Sequence, residues 1–235
     1  MIFLHFLIFL IASTFFFTIP GFYVINKINH QFSLLEKLYL STFLGFVIFT
    51  LLSYLLLLTG VEILLIPTVL VINYLGLKSK LPFPTPLSVF QLASRSEPLT
   101  ANFSKTILFL FIFTIGILGQ LSIIAPSGQI KNGDLIFYSA HGHDGMWHIG
   151  LMEEIKKGFP WQNPAFAGEK LVNYHFFSDI APAVFSKFLL LSNFDLYFRF
   201  FPLLCSILLG MSGYFLGNKM TGSWIAGLWA TIFTY

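Results

Sequence analysis

Charge is scarce in this chain. Asp, Glu, Lys and Arg make up 10% of its 235 residues, against about 25% in an ordinary soluble domain. A soluble fold of this length needs more polar surface than that. A soluble enzyme, a nucleic-acid binder and a disordered tail are therefore excluded. The net charge of +3 is spread thinly and forms no basic block. Cysteine is nearly missing: Cys205 stands alone, which excludes an internal disulfide framework and a cysteine zinc cluster. Internal repeats are lacking too, and the only low-complexity tracts are the apolar runs themselves.

What is abundant is apolar. Hydrophobic residues reach 56%, and phenylalanine alone supplies 30. A bilayer core about 30 Å thick needs about 20 apolar residues per spanning helix. In lipid every backbone amide must be paired internally, so long apolar runs are helices. The apolar stretches predict an all-α, polytopic transmembrane bundle of about seven spans. They run over Met1 to Asn26, Leu38 to Val61, Ile63 to Leu77 (a short hairpin partner of the second), Thr106 to Ile130, Phe176 to Ser192 (a weaker span carrying Asp179 and Lys187), Phe200 to Asn218 and Met220 to Tyr235. Three regions follow: an N-terminal four-helix part over 1–125, a long loop over 126–178, and C-terminal helices over 179–235. The first run lacks a basic leader and a small-x-small site, so it reads as a retained helix rather than a signal peptide. The last run stops without a polar flank, as expected of a fragment or of a helix completed by a partner.

Lys and Arg in short loops mark the cytoplasmic side. Lys27 and Lys37 flank one loop; Lys78, Lys80, Arg95 and Lys105 belong to another; the turn at Thr59 and Gly60 carries none. The N-terminus and the interval 126–178 are then extracytoplasmic, in a cell (plasma) membrane. The Pro-rich stretch 81–86 becomes a cytoplasmic linker. Asn102-Phe103-Ser104 fits a glycosylation acceptor but faces the wrong compartment. Arg199 is placed at the cytoplasmic face.

The polar chemistry gathers in the long loop. Asp134, Asp144, Glu153, Glu154, Glu169 and Asp179 fall there or at its edge, with His141, His143, His148 and His175. Loops this long are disproportionately functional. Trp147, Leu151 and Ile155 recur at helical spacing, and Gly158 with Pro160 ends the pattern. A short amphipathic helix is expected, lying on the membrane surface or against the bundle. Asp144 stands at its first turn, as an N-cap or as a functional carboxylate, and His148 shares its face four residues on. His141, His143, His148 and Asp144 together offer donors enough for a zinc-like site, although their spacing is no established zinc pattern. Glu153 and Glu154 read as surface charges, and Trp161 as part of an interfacial aromatic belt.

An acidic residue after a helix, a surface helix, a Gly-x-Pro break, an extended aromatic stretch and re-entry at Tyr174-His175 occur here in that order. This resembles the first outer loop of GT-C type glycosyltransferases, polytopic enzymes that use polyprenyl-phosphate-linked sugars. Ala181–Phe188, Phe194–Leu204 and Gly217–Gly222 are similar to the spans and turns that follow that loop in the family. The match covers roughly 127–235 and is strongest at Asp144 with His148. It departs where many members carry two adjacent acids, since Gly145 follows Asp144, and several helices precede the loop where the family usually has one. The resemblance implies glycosyl transfer at the extracytoplasmic face. Asp144 would be the base or a metal ligand. His148, Lys170, Tyr174 and His175 would bind substrate, and a divalent metal, Mg or Mn, would draw on Asp144, His141, His143 and His148. The partners implied are membrane lipid and the lipid-linked donor. Two other classes compete: a transporter, motivated by Asp179 and Lys187 inside a span, and a non-catalytic multi-pass scaffold.

Overall fold

The computed structural model describes residues 2–28, 32–78 and 99–235. The linker at 81–86, with Lys80 and Arg95, lies outside the described residues, as does the side chain of Asn102. The described residues are mostly helical, with one small hairpin. Four helices are long and apolar enough to cross a membrane: Ile2–Lys27 (α1), Leu34–Leu58 (α2), Phe103–Ile124 within Leu99–Ile124 (α4), and Asn193–Thr221 (α7). Leu65–Lys78 (α3) and Trp224–Thr234 (α8) are shorter apolar helices. The loop contributes the antiparallel pair Gln129–Lys131 (β1) and Asp134–Ile136 (β2), then His141–Lys157 (α5) and Phe177–Leu189 (α6).

Local chemistry explains the boundaries. Ser33 and Glu36 close a capping box on α2: Glu36 N donates to Ser33 Oγ at 3.3 Å, and Ser33 N to Glu36 Oε2 at 2.7 Å. The helix therefore begins before Leu38 and takes Glu36 and Lys37 into its first turn. Asn132 and Gly133 carry positive φ between β1 and β2, the requirement of a two-residue hairpin turn. This hairpin ends the preceding helix at Ile124, short of the Ile130 expected from hydropathy.

Two helices widen by one π turn, Thr14–Thr18 in α1 and Leu196–Phe200 in α7. A proline follows each, Pro20 and Pro202. A proline ring strikes the carbonyl four residues back in a regular helix. In each case that carbonyl, of Phe16 or Phe198, lies in the wider turn, where the strand of backbone bulges outward. One loosened carbonyl, Phe15 O, accepts from Asn73 Nδ2 of α3 at 3.1 Å.

Phe185 of α6 is the hub of the core. It stacks on Phe17 at 5.2 Å and meets Phe9, Phe16, Phe49 and Phe201 at 5.8, 5.7, 5.6 and 5.4 Å. Such aromatic pairs add stabilisation beyond the area they bury. Between α1 and α2 the backbones touch. A Cβ on Gly21 would strike Ser41 O, and one on Gly45 would strike Phe17 O. Small residues at such seams let helices approach without a hydrophobic driving force.

The span expected over 176–192 is not among the described helices long and apolar enough to cross a membrane. α6 has 13 residues and reaches about 20 Å, less than the hydrocarbon thickness. Both of its ends are tied to α5. Asp179 meets His148, and Lys187 Nζ donates to Lys156 O at 2.7 Å and to Glu62 Oε1 at 3.1 Å. α6 thus lies beside α5 in parallel, at one end of the bundle. Its apolar face is buried in protein rather than in lipid, which hydropathy cannot distinguish.

This moves Arg199. It stands at the start of α7, donating to Asp195 Oδ1 at 2.8 Å and to Ser127 O at 2.9 Å, while Asp195 faces His5 at 3.5 Å. Arg199 therefore belongs to the pole of the long loop and the chain start, not to the pole of Lys27 and Lys37. The far end of α7 reaches that second pole, where Lys219 meets Glu36 at 2.8 Å. Trp161 is also corrected. It is buried against Phe159, Phe176 and Tyr54, where an interfacial ring would remain half exposed.

Truncating the hub, Phe185→Ala, is expected to cost roughly 3–5 kcal/mol, read as a lowered denaturation midpoint in detergent. Val172→Ala, at an exposed loop site, should change the stability by less than about 0.5 kcal/mol. Equal shifts would remove Phe185 from its central place.

Candidate functional site

α5 starts at His141, so Asp144 occupies its first turn, and Ala140 holds the N-cap position without a side-chain bond. An N-cap role for Asp144 is thereby replaced by one of exposure. Its carboxylate is largely open to solvent and accepts from His143 Nδ1 at 3.0 Å. That hydrogen bond holds the Asp144 carboxyl below the ordinary aspartate range, helped by the charges of the neighbouring histidines.

One turn on, His148 points the other way. Its Nδ1 stands 3.1 and 3.0 Å from the two oxygens of Asp179. The side chain of His148 is 13% exposed and that of Asp179 only 1%. A buried carboxylate needs a partner, and the imidazole supplies it. The hydrogen bond to Asp179 raises the His148 pKa above its usual value; burial opposes this, and the charges of Asp179 and Asp144 add to it. Tyr197 stacks on the ring at 5.3 Å and 19°. With Nδ1 committed, Nε2 is the free edge, and it lies 3.5 Å from the Tyr174 hydroxyl.

Tyr174 joins this buried pair to open space. Trp147 meets it edge-on at 5.1 Å and His175 stacks on it at 4.5 Å. Burial, then the charge of Asp179, raises the Tyr174 pKa, so the phenol keeps its proton. A cavity of about 770 Å³ opens here, lined by Asp144, Trp147, Gly150, Pro164, Ala165 and Tyr174 among others. Its size suits a ligand site.

The sequence-derived residues divide as follows. Asp144 and Tyr174 line the cavity, while His148 and His175 contact Tyr174 without lining it. Lys170 is exposed, pairs its backbone with Gln162 and does not line the cavity. The four donors considered for a divalent metal are dispersed. His141 bonds Ser127 Oγ at 3.2 Å, His143 bonds Asp144, and His148 bonds Asp179. Among the described residues no three His, Cys, Asp or Glu side chains gather as a metal-holding group. The present arrangement of those donors does not fit a shared ion, and no step below passes through one. Glu154 pairs with Lys157, as a surface charge would. Glu153 does more: it accepts from Lys156 at 2.9 Å and from Asn193 Nδ2 at 2.6 Å, tying α5 to α7.

Two members went unrecognised in the sequence: Asp179 as the partner of His148, and Tyr197 as its stacking face. They lie 31 and 49 positions from His148 along the chain, and no periodicity links such distances. The one signal was an acid embedded in an otherwise apolar stretch, which implies a buried partner without naming it.

Comparison of the chain with protein-family models, with curated proteins and with solved structures finds no match.

The raised pKa of His148 has a definite sign. Its imidazolium stabilises the fold in full below the unfolded value of about 6.5, and that contribution is lost as pH rises through the higher folded value. Resolved histidine NMR resonances should show His148 titrating above about 6.5, with Asp179→Asn lowering the midpoint. A midpoint insensitive to Asp179→Asn would dissolve the pair as the cause.

Proposed function

We propose that the protein is an integral membrane, glycosyltransferase-like protein. It transfers a sugar from a polyprenyl-phosphate donor to an acceptor hydroxyl at the extracytoplasmic face of the plasma membrane. The observation that supports this most directly is the His148–Asp179 pair behind Tyr174, at the wall of a cavity that also holds Asp144. The cavity lies at the pole away from Lys27, Lys37 and Lys219, which the distribution of basic residues assigns to the outside.

The chemistry uses this chain's own groups. Asp144, kept ionised by His143, takes the proton of the acceptor hydroxyl. The acceptor oxygen bonds to the anomeric carbon as the bond to the phosphate oxygen breaks, through an oxocarbenium-like transition state. The electron pair leaves on the polyprenyl phosphate. Tyr174 donates a hydrogen bond to that phosphate, and the His148 imidazolium behind it places positive charge where negative charge develops. Asp179 fixes the imidazole ring with Nε2 toward Tyr174 and favours its protonated form. The lipid tail remains in the bilayer beside the helices. The two residues that motivate a transport reading are already engaged: Asp179 by His148, Lys187 by Glu62 and Lys156 O.

In membranes supplied with a radiolabelled polyprenyl-phosphate hexose, Asp144→Asn is expected to lower transfer about 10²-fold or more, the usual contribution of a general base. Unchanged transfer would remove Asp144 from catalysis. His148→Gln should lower turnover more than donor affinity, because its charge acts chiefly on the departing phosphate. An effect confined to donor affinity would reduce His148 to a binding group.

A further inference from the structure

A second candidate site lies at the opposite pole, away from the cavity of Asp144. Between α2, α4 and α7 the helices leave an apolar slot of about 530 Å³, walled by Leu38, Thr42, Leu204 and Leu208 among others. A neighbouring cavity of about 440 Å³ is lined by Lys105, Tyr214 and Trp224. Leu35, Thr106 and Phe109 line both, so the two are continuous. Together they form one channel with an apolar length and a cationic mouth. Its α4 wall runs from Thr106 to Phe113, about 10 Å at helical rise.

Lys105 is the only charged residue lining either cavity among the described residues. Its ammonium sits 5.2 Å from the centre of the Trp224 ring, and no described acid pairs with it. Glu36, the acid at this pole among the described residues, is occupied by Lys219 and by Ser33 N. None of the apolar window of α4 is fully buried within the protein, and the face turned away from Tyr214 and Tyr235 is left for lipid to cover. Lys105 lies at the start of that spanning window, where headgroups meet the hydrocarbon, and Trp224 is the residue type favoured at that depth.

We propose that this channel holds one anionic glycerophospholipid, with an acyl chain in the slot between α2, α4 and α7 and its phosphate against Lys105. The lipid fills the gap that the protein leaves between α2 and α4. The site is independent of the glycosyl-transfer reading and stands at the other end of α7.

The full chain is reconstituted in phosphatidylcholine bilayers carrying a minor amount of spin-labelled phosphatidylglycerol or spin-labelled phosphatidylcholine. The motionally restricted fraction of each label is then measured. Phosphatidylglycerol should be preferred about fivefold, the factor that one basic residue contributes near an anionic surface. Lys105→Gln should abolish the preference and Lys105→Arg should keep it. Leu110→Trp, which fills the slot from its lipid-facing side, should lower the restricted phosphatidylglycerol fraction with Lys105 intact. Lys27→Gln, whose ammonium rests on Tyr23, should change nothing. The proposal is overturned by equal restriction of both lipids, by a preference that survives Lys105→Gln or vanishes in Lys105→Arg, or by the same loss in Lys27→Gln, which would indicate general surface charge. It is also overturned if Leu110→Trp has no effect while inorganic phosphate removes the preference, which would indicate a phosphate site without a chain.

Discussion

The carboxylate of Asp179 is almost fully enclosed, and an enclosed carboxylate without a partner is among the costliest features a protein can carry. His148 answers that demand, and much of the architecture follows from the pairing. It sets the start of α6 against the first half of α5. The bond from Lys187 to the Lys156 carbonyl sets the other ends together. Two helices that could otherwise slide are held in parallel register. The cavity beside Asp144 exists because α5 is fixed in this position, with Trp147 and Tyr174 closing one wall.

Polar demand and apolar burial act on the same helix. One face of α6 carries Phe185 into a cluster of phenylalanines from α1, α2 and α7, while its two ends meet ionisable partners. Neither contribution suffices alone. Aromatic packing would tolerate several rotations of so short a helix. The ion pairs would hold its ends without drawing it inward. The π turns of α1 and α7 serve the same packing, since they accommodate Pro20 and Pro202 while keeping Phe16, Phe17, Phe198 and Phe200 buried. Glycine seams between α1 and α2 then bring the backbones close enough for these rings to meet.

The two poles of the bundle differ in kind. At the loop pole, acids and bases are paired with each other, across elements as Lys187 with Glu62 and His148 with Asp179, or along one helix as Arg199 with Asp195. At the other pole the bases outnumber the acids among the described residues, and Lys105 rests on the Trp224 ring. A pole whose charges are internally matched supports a defined site. A pole with surplus positive charge suits an anionic membrane surface. The glycosyl-transfer reading and the lipid site rest on these separate properties.

Much of this was legible in the residues alone. Scarce charge and long apolar runs required helices in lipid, because unpaired amides are not tolerated there. The repeat of Trp147, Leu151 and Ile155, closed by Gly158 and Pro160, located α5, and the density of acids and histidines located the region of the cavity. The Asn132-Gly133 turn and the Ser33-Glu36 capping box are local signals as well, but hydropathy alone did not locate either. These are local features: backbone satisfaction, periodicity and capping act within a few residues. The contacts of His148 with Asp179 and Tyr197, of Lys187 with Glu62 and of Arg199 with Ser127 were decided only by the folded chain. They join residues 31 to 125 positions apart, and a stretch of sequence states how apolar a helix is, not whether lipid or protein will cover it. That single ambiguity made α6 resemble a span and placed Arg199 at the wrong pole.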